Sequence, residues 1–244
     1  MTRRRKDIRR IVEHLEVLYG RAAHRPRFDP VEELICCILS QHSADVNSFP
    51  AFTRLRARYP EWQQVLDAPV EEVAETIRRA GMHNQKSERI RQVLARIYEE
   101  TGGFSLDHLR TMPWPEARKW LMSLPGVGPK TAAIVLCFTM GQPVIPVDTH
   151  VFRVGWRIGF YDKKIGEAKA HDVLQAAVPE DLAYRFHTTL IQHGRNLCRA
   201  RDPECAACPI RSMCDFGREN RPPGVTSRRT RASKGQSSKG GPHD

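Results

Sequence analysis

Apolar side chains recur at three- and four-residue intervals over most of residues 7–195, as in Ile8, Ile11, Val12, Leu15 and Leu18, the spacing that gathers them on one helix face. The two-residue alternation of a half-buried strand is hard to find. Pro30, Pro60, Pro69, Pro113, Pro115, Pro125, Pro146 and Pro179 fall between the periodic segments, where a missing N–H and a fixed φ end a helix or open one. The pattern predicts an all-α fold of short helices and short loops. Segment 30–40, PVEELICCILS, is apolar on nearly every face after its acidic first turn, so it is expected to be a central helix packed on all sides. After Phe216 the chain turns to Arg, Lys, Ser, Gly and Pro, and a disordered basic tail is expected over 217–244.

Composition sharpens this picture through charge. The 244 residues hold 39 Lys and Arg against 28 Asp and Glu, a net +11, which makes a polyanion the first candidate partner. Most of the excess is terminal: residues 1–10 and 217–244 each carry +5, leaving about +1 between them. A nucleic-acid surface on the folded body must therefore come from local arrangement. The first residues lack the apolar stretch of a secretory signal, and no run approaches the ~20 residues of a membrane span. A soluble intracellular protein without a membrane partner is expected.

The cysteines divide into two kinds. Cys36, Cys37 and Cys137 sit inside apolar runs and read as buried packing residues. Cys198, Cys205, Cys208 and Cys214 form C-x6-C-x2-C-x5-C in a loop-rich segment that also holds Pro203 and Pro209. Four soft thiolates so close together point to one metal centre, and from spacing alone both zinc and a [4Fe–4S] cluster fit.

A second signal is LMSLPGVGPKTAA at 121–133, which reads as helix, hairpin, helix. Gly126 and Gly128 permit a tight turn, and the free amides at the start of the next helix can hold a phosphate oxygen without reading sequence. Lys130 enters just after the hairpin. Asp148, in VIPVDTHVFR at 144–153, stands where an N-cap is needed, between an extended Pro146-Val147 and a helical run through Val151, Phe152 and Trp156.

Together LPGVGPKTA, VDTHVFRV, HGRNLC and the cysteine loop resemble, in order and separation, the endonuclease III family of DNA glycosylases, over roughly residues 8–216. The resemblance implies a bilobal helix-hairpin-helix protein. A six-helix barrel domain would span about 23–142, and a cluster domain would combine 1–22 with 143–216, with double-stranded DNA across the cleft between them. It further implies that Cys198, Cys205, Cys208 and Cys214 hold a [4Fe–4S] cluster, that Lys130 is the nucleophile and that Asp148 assists it. By position in the family pattern, Met82 is the wedge inserted into the base stack, and Gln41 and His42 line or plug the vacated space. Gly126, Val127 and Gly128 form the DNA-binding hairpin. At His42 many relatives carry an amide, and Asp202 and Glu204 place acids where relatives often have bases, so weaker phosphate attraction is expected there.

The implied chemistry is coherent. A base in duplex DNA must be flipped into a pocket before it can be attacked. Lys130 must then be a neutral amine, which at a reference pKa near 10.4 requires burial or nearby cations to lower that value. Attack at the sugar would give a Schiff base, and β-elimination would cut the strand. The expected activity is therefore a bifunctional glycosylase and abasic-site lyase, acting as a cytoplasmic monomer on DNA with oxidised pyrimidines or abasic sites. An adenine glycosylase is the enzymatic alternative, weakened by Lys130, by the lack of an acid between Ile35 and Ser40, and by the lack of a further domain after Phe216. A non-catalytic cluster protein that binds DNA or senses redox state is the other; the coexistence of Lys130 and Asp148 argues against it.

Overall fold

The computed structural model describes the backbone of residues 2–220 and the side chains from residue 8 onward. It is all-α, and the described residues contain no strand. Residues 221–244, most of the expected tail, lie outside the described part. The first tail residues are helical, as part of Asp215–Glu219: Gly217 is buried, and its N–H donates to Cys214 Sγ at 3.4 Å. The ordered chain therefore runs past the expected boundary at 217.

Two apolar cores organise the helices. The first draws on α2 (Pro30–Ser40), α3 (Asp45–Arg58), α4 (Trp62–Asp67), α5 (Val70–Thr76), α6 (His83–Thr101), α7 (Trp114–Ser123) and α8 (Pro129–Met140). α2 runs through its middle, packed against α3, α6 and α8, with every residue from Leu34 to Leu39 buried. Its start is set by Asp29, whose side chain accepts from the Val31 and Glu32 amides while Glu32 reaches back to the Asp29 amide, and by Pro30 in the first turn.

The second core is assembled from both sides of the first in sequence. Ile8, Ile11, Val12 and Leu15 of α1 (Thr2–Tyr19) pack with α9 (Thr149–Ile158), α10 (Gly166–Ala177), α11 (Ala183–Asn196) and the cysteine loop. Burying each of those four side chains of α1 contributes roughly 1.5–3 kcal/mol, enough to dock a helix whose own sequence is strongly charged. The α8–α9 connection passes from one core to the other: Val144 belongs to the first, Ile145 and Val147 to the second. Gln175 fastens it, donating to Pro143 O at 2.6 Å and accepting from Ile145 N at 3.0 Å. That short crossing brings the N-terminus of α9 close to α8, which positions the site.

Candidate active site

A cavity of about 680 Å³ opens where the two cores meet, lined by α2, α3 and α8 on one side and by the α9 N-terminus and α11 on the other. Lys130 and Asp148 both line it. Lys130 comes from the first turn of α8, because Gly128 caps that helix and Pro129 opens it. Asp148 is the N-cap of α9: its Oδ1 accepts from Val151 N at 2.7 Å. Its Oδ2 has no hydrogen bond among the described residues, so capping uses one carboxylate oxygen and leaves the other for the cavity.

Sequence reasoning missed two further groups in this cavity. His187, on α11, is 3% exposed, and its Nδ1 lies 2.8 Å from Pro146 O. Burial holds its pKa below the ordinary imidazole value although Asp148 beside it pulls the other way, so it stays neutral. In the sequence it looks like one more core position of an amphipathic helix. Glu33 is 6% exposed and sits two residues before the segment Ile35 to Ser40 that lacks an acid. Its pKa is raised by burial, against the lowering effect of Arg27. It reads from sequence as part of an ordinary acidic first turn.

The hairpin joins α7 to α8. Gly126 adopts φ +72°, and a Cβ there would meet Arg89 Nε at 2.2 Å, so both conformation and space require glycine. Arg89 Nη1 donates to Gln41 Oε1 at 2.7 Å, and Gln41 Nε2 donates to Gly126 O at 3.0 Å. Gln41 is thus fastened to the hairpin. Val127 is 6% exposed and belongs to the first core, so only its backbone can face a ligand.

Three described non-glycine residues have positive φ, and two of them are His42 (52°) and Met82 (48°), both exposed. Such conformations cost about 1–3 kcal/mol each and persist where the surroundings enforce them. Lys86, fully buried, enforces both: its Nζ donates to Leu39 O at 2.7 Å, just before the His42 turn, and to Ala80 O at 2.8 Å, just before Met82.

Cys198, Cys205, Cys208 and Cys214 line a separate small cavity with Val154, Arg157, His193 and Ile210. Arg157 Nη1 donates to Cys198 Sγ at 3.3 Å and to the carbonyls of Cys198 and Arg199, and Nη2 donates to Ala200 O. His193 Nε2 lies 3.6 Å from Cys208 Sγ. Burial pushes the Cys208 and Cys214 thiols up to about 11, so thiolates there would need a cation among them. Among the described residues no three Cys, His, Asp or Glu side chains converge on a single ion position; the thiols surround the cavity instead. In the same loop Glu204 pairs with Arg199 at 2.8 Å, so one of the two acids takes up a base that would otherwise attract phosphate.

Comparison with known proteins places this geometry. Residues 35–180 match the model of the HhH-GPD superfamily base excision DNA repair proteins. The chain belongs to that family. Within the HhH-GPD proteins it is an endonuclease III-like DNA glycosylase: it is 36% identical to endonuclease III of Escherichia coli K12 over 187 residues, covering 77% of this chain and 84% of that one. Endonuclease III of Thermotoga maritima is 33% identical over 190 residues, covering 78% and 84%. A solved structure of a trapped endonuclease III–DNA covalent intermediate superposes with a TM-score of 0.75 at 29% identity, over 88% of this HhH-GPD chain and 97% of the other. No helix among the described residues is long and apolar enough to cross a membrane.

Proposed function

We propose that this glycosylase releases oxidised or ring-saturated pyrimidines from double-stranded DNA and then cuts the strand as an abasic-site lyase. The observation that carries the reading is the placement of Lys130 and the free oxygen of Asp148 in one cavity, of a size that receives an extruded nucleoside. Lys130 Nζ attacks the sugar C1′, the bond from C1′ to the base breaks, and the base departs with its electron pair. Asp148 Oδ2 accepts the ammonium proton and stabilises positive charge developing on the sugar. Opening of the sugar ring gives the imine, loss of a C2′ proton expels the 3′ phosphate, and water returns the lysine. The trapped covalent endonuclease III–DNA intermediate among the similar structures supports the covalent step.

The DNA contacts are assigned on the same basis. Amides of Gly126, Val127 and Gly128 receive a backbone phosphate, Met82 wedges into the stack, and Gln41 and His42 occupy the space the base leaves. The two cores would act as two lobes, residues 23–142 and residues 1–22 with 143–216, in a monomer working in the cytoplasm.

A [4Fe–4S] cluster fits the residues present. Four thiolates on one zinc at ~2.3 Å would stand only about 3.8 Å apart. Thiols placed around a cavity, with N–H donors from Arg157 and Gly217 aimed at sulfur, suit the larger body of a cluster. Cys198, Cys205, Cys208 and Cys214 would hold it, and its contribution would be to cross-link the loop that packs against α9 and α11.

Borohydride trapping tests the central claim. Wild type should form a covalent adduct with abasic-site and lesion duplexes, and Lys130→Ala should form none while still binding an abasic-site analogue. Normal trapping by Lys130→Ala would assign the nucleophile to another amine and reject the mechanism.

A further inference from the structure

Glu33 is a carboxyl in the base cavity for which base release, as derived above, has no use. Its side chain is 8% exposed, and it belongs to the helix at the centre of the first core, where an acid is costly to bury. One carboxylate oxygen is engaged: Oε1 accepts from Arg27 Nη2 at 3.4 Å and lies 3.9 Å from Cys37 Sγ. Oε2 takes no hydrogen bond among the described residues, yet it is not one of their sealed, partnerless polar atoms. It is therefore accessible, on a residue that lines the open cavity. Arg27 is held beside it by stacking, its guanidinium 4.4 Å from the Phe28 ring centre and 5.7 Å from that of Phe49, which also lines the cavity.

We propose that Glu33 is a specificity-determining residue whose Oε2 accepts the ring N3–H of an extruded uracil- or thymine-type base, while Arg27 donates to a carbonyl flanking that N–H. The inference rests on the reading of this cavity as the base-receiving site. An imide edge presents a donor between two acceptors, which an acceptor with a neighbouring cation complements. A cytosine-type ring presents a lone pair at N3, which would face the carboxylate oxygen and be repelled. The enzyme is thus expected to favour thymine-derived lesions over cytosine-derived ones.

The orientation of the pair makes the test directional. In Glu33→Gln, Arg27 and Cys37 still present donors to the position of Oε1, so the amide oxygen turns to them and its NH₂ takes the position of Oε2. An acceptor becomes a donor, which opposes N3–H and matches a bare N3. Single-turnover base release should be measured on duplexes containing 5,6-dihydrothymine or 5-hydroxycytosine, each normalised to cleavage of an abasic duplex, where no base occupies the cavity. Glu33→Gln should lower the dihydrothymine-to-hydroxycytosine ratio about 10- to 100-fold, the range a paired base edge contributes to discrimination. Glu33→Leu should lose the preference without gaining activity on hydroxycytosine. Binding of the same two lesion duplexes by Lys130→Ala and by Lys130→Ala/Glu33→Gln, read by fluorescence anisotropy, should shift in the same direction. Failure of wild type to trap abasic DNA would reject the covalent mechanism, and the anisotropy ratio would still report on Glu33. Unchanged ratios in both assays, or equal losses on both lesions, would overturn the inference.

Discussion

Gln41 Nε2 donates to the carbonyl of Gly126 at 3.0 Å, tying two loops 85 positions apart in the chain. Through Arg89, which donates to Gln41 Oε1, the tie also reaches α6, so the hairpin and the turn after α2 form one unit.

Gly126→Ala attacks that unit twice. The residue must hold φ +72°, a cost of about 1–2 kcal/mol for a non-glycine side chain, and the new methyl would displace Arg89. Loss of Arg89 from Gln41 leaves the Gln41 side chain held by the residue 126 carbonyl alone. Affinity for undamaged and damaged duplexes should fall by similar factors in an anisotropy titration, since the hairpin does not read sequence. Gly103→Ala, at a position with open space and ordinary φ, should leave binding unchanged.

Arg157 should matter to metal retention as much as a ligand does. It is 6% exposed and closes on three successive carbonyls of the loop that begins at Cys198. Arg157→Leu leaves the Arg199 and Ala200 carbonyls without that donor, while Cys198 O keeps Arg153 Nε at 3.1 Å, at roughly 1–3 kcal/mol for each orphaned carbonyl that stays buried. Iron analysis should find about four irons in wild type, little in Cys205→Ala or Arg157→Leu, and a full complement in Cys137→Ala, whose thiol is buried in α8 and does not line the cavity of the loop cysteines.

Much of this was legible because helix periodicity, proline placement and motif spacing are local signals. Asp148 as an N-cap, Gly126 in the hairpin and α2 as a buried helix all follow from a few neighbouring residues. Glu33 and His187 were not legible, because each becomes a cavity group only when α2 and α11 from different cores face each other. Pro50 shows the reverse failure: local rules would break a helix there, yet α3 runs from Asp45 to Arg58 through it, held by the burial of Ser48, Ala51, Phe52 and Leu55. The burial of Val127 likewise depends on tertiary packing, which the turn-like LPGVGP does not disclose.

Acid should destabilise the protein through His171. Burial, with Arg118 nearby, lowers its pKa from 6.5 to about 4, so the folded form keeps the ring neutral. A depressed folded pKa means that the contribution is fully present above the unfolded value of 6.5 and is lost as pH falls towards 4. Its upper size is on the order of 3 kcal/mol. Urea denaturation midpoints should drop between pH 7 and pH 4 for wild type and drop less for His171→Gln, which removes the titrating ring and keeps a hydrogen-bonding side chain.

Asp148 offers the sharpest separation of structure from chemistry, because only one of its two oxygens is used by the helix cap. Oδ1 caps α9 through the Val151 amide, and Oδ2 is left for the cavity. Asp148→Asn keeps a good N-cap, so its melting temperature should stay close to wild type. Asp148→Ala removes the cap and should cost about 0.5–2 kcal/mol of stability. If the carboxylate serves only as a cap, base release should follow stability, intact in Asn and reduced only where Ala loosens α9. If it accepts the Lys130 proton and supports the developing sugar cation, both variants should lose base release by about 10²–10⁴-fold, irrespective of their stability. His187 should respond as well: with the neighbouring negative charge gone, the influence that raises its pKa is removed, so the ring stays neutral to still lower pH. NMR titration of His187 beside single-turnover rates for the two variants would decide the matter, and full activity in Asp148→Asn would assign Asp148 to the helix end alone.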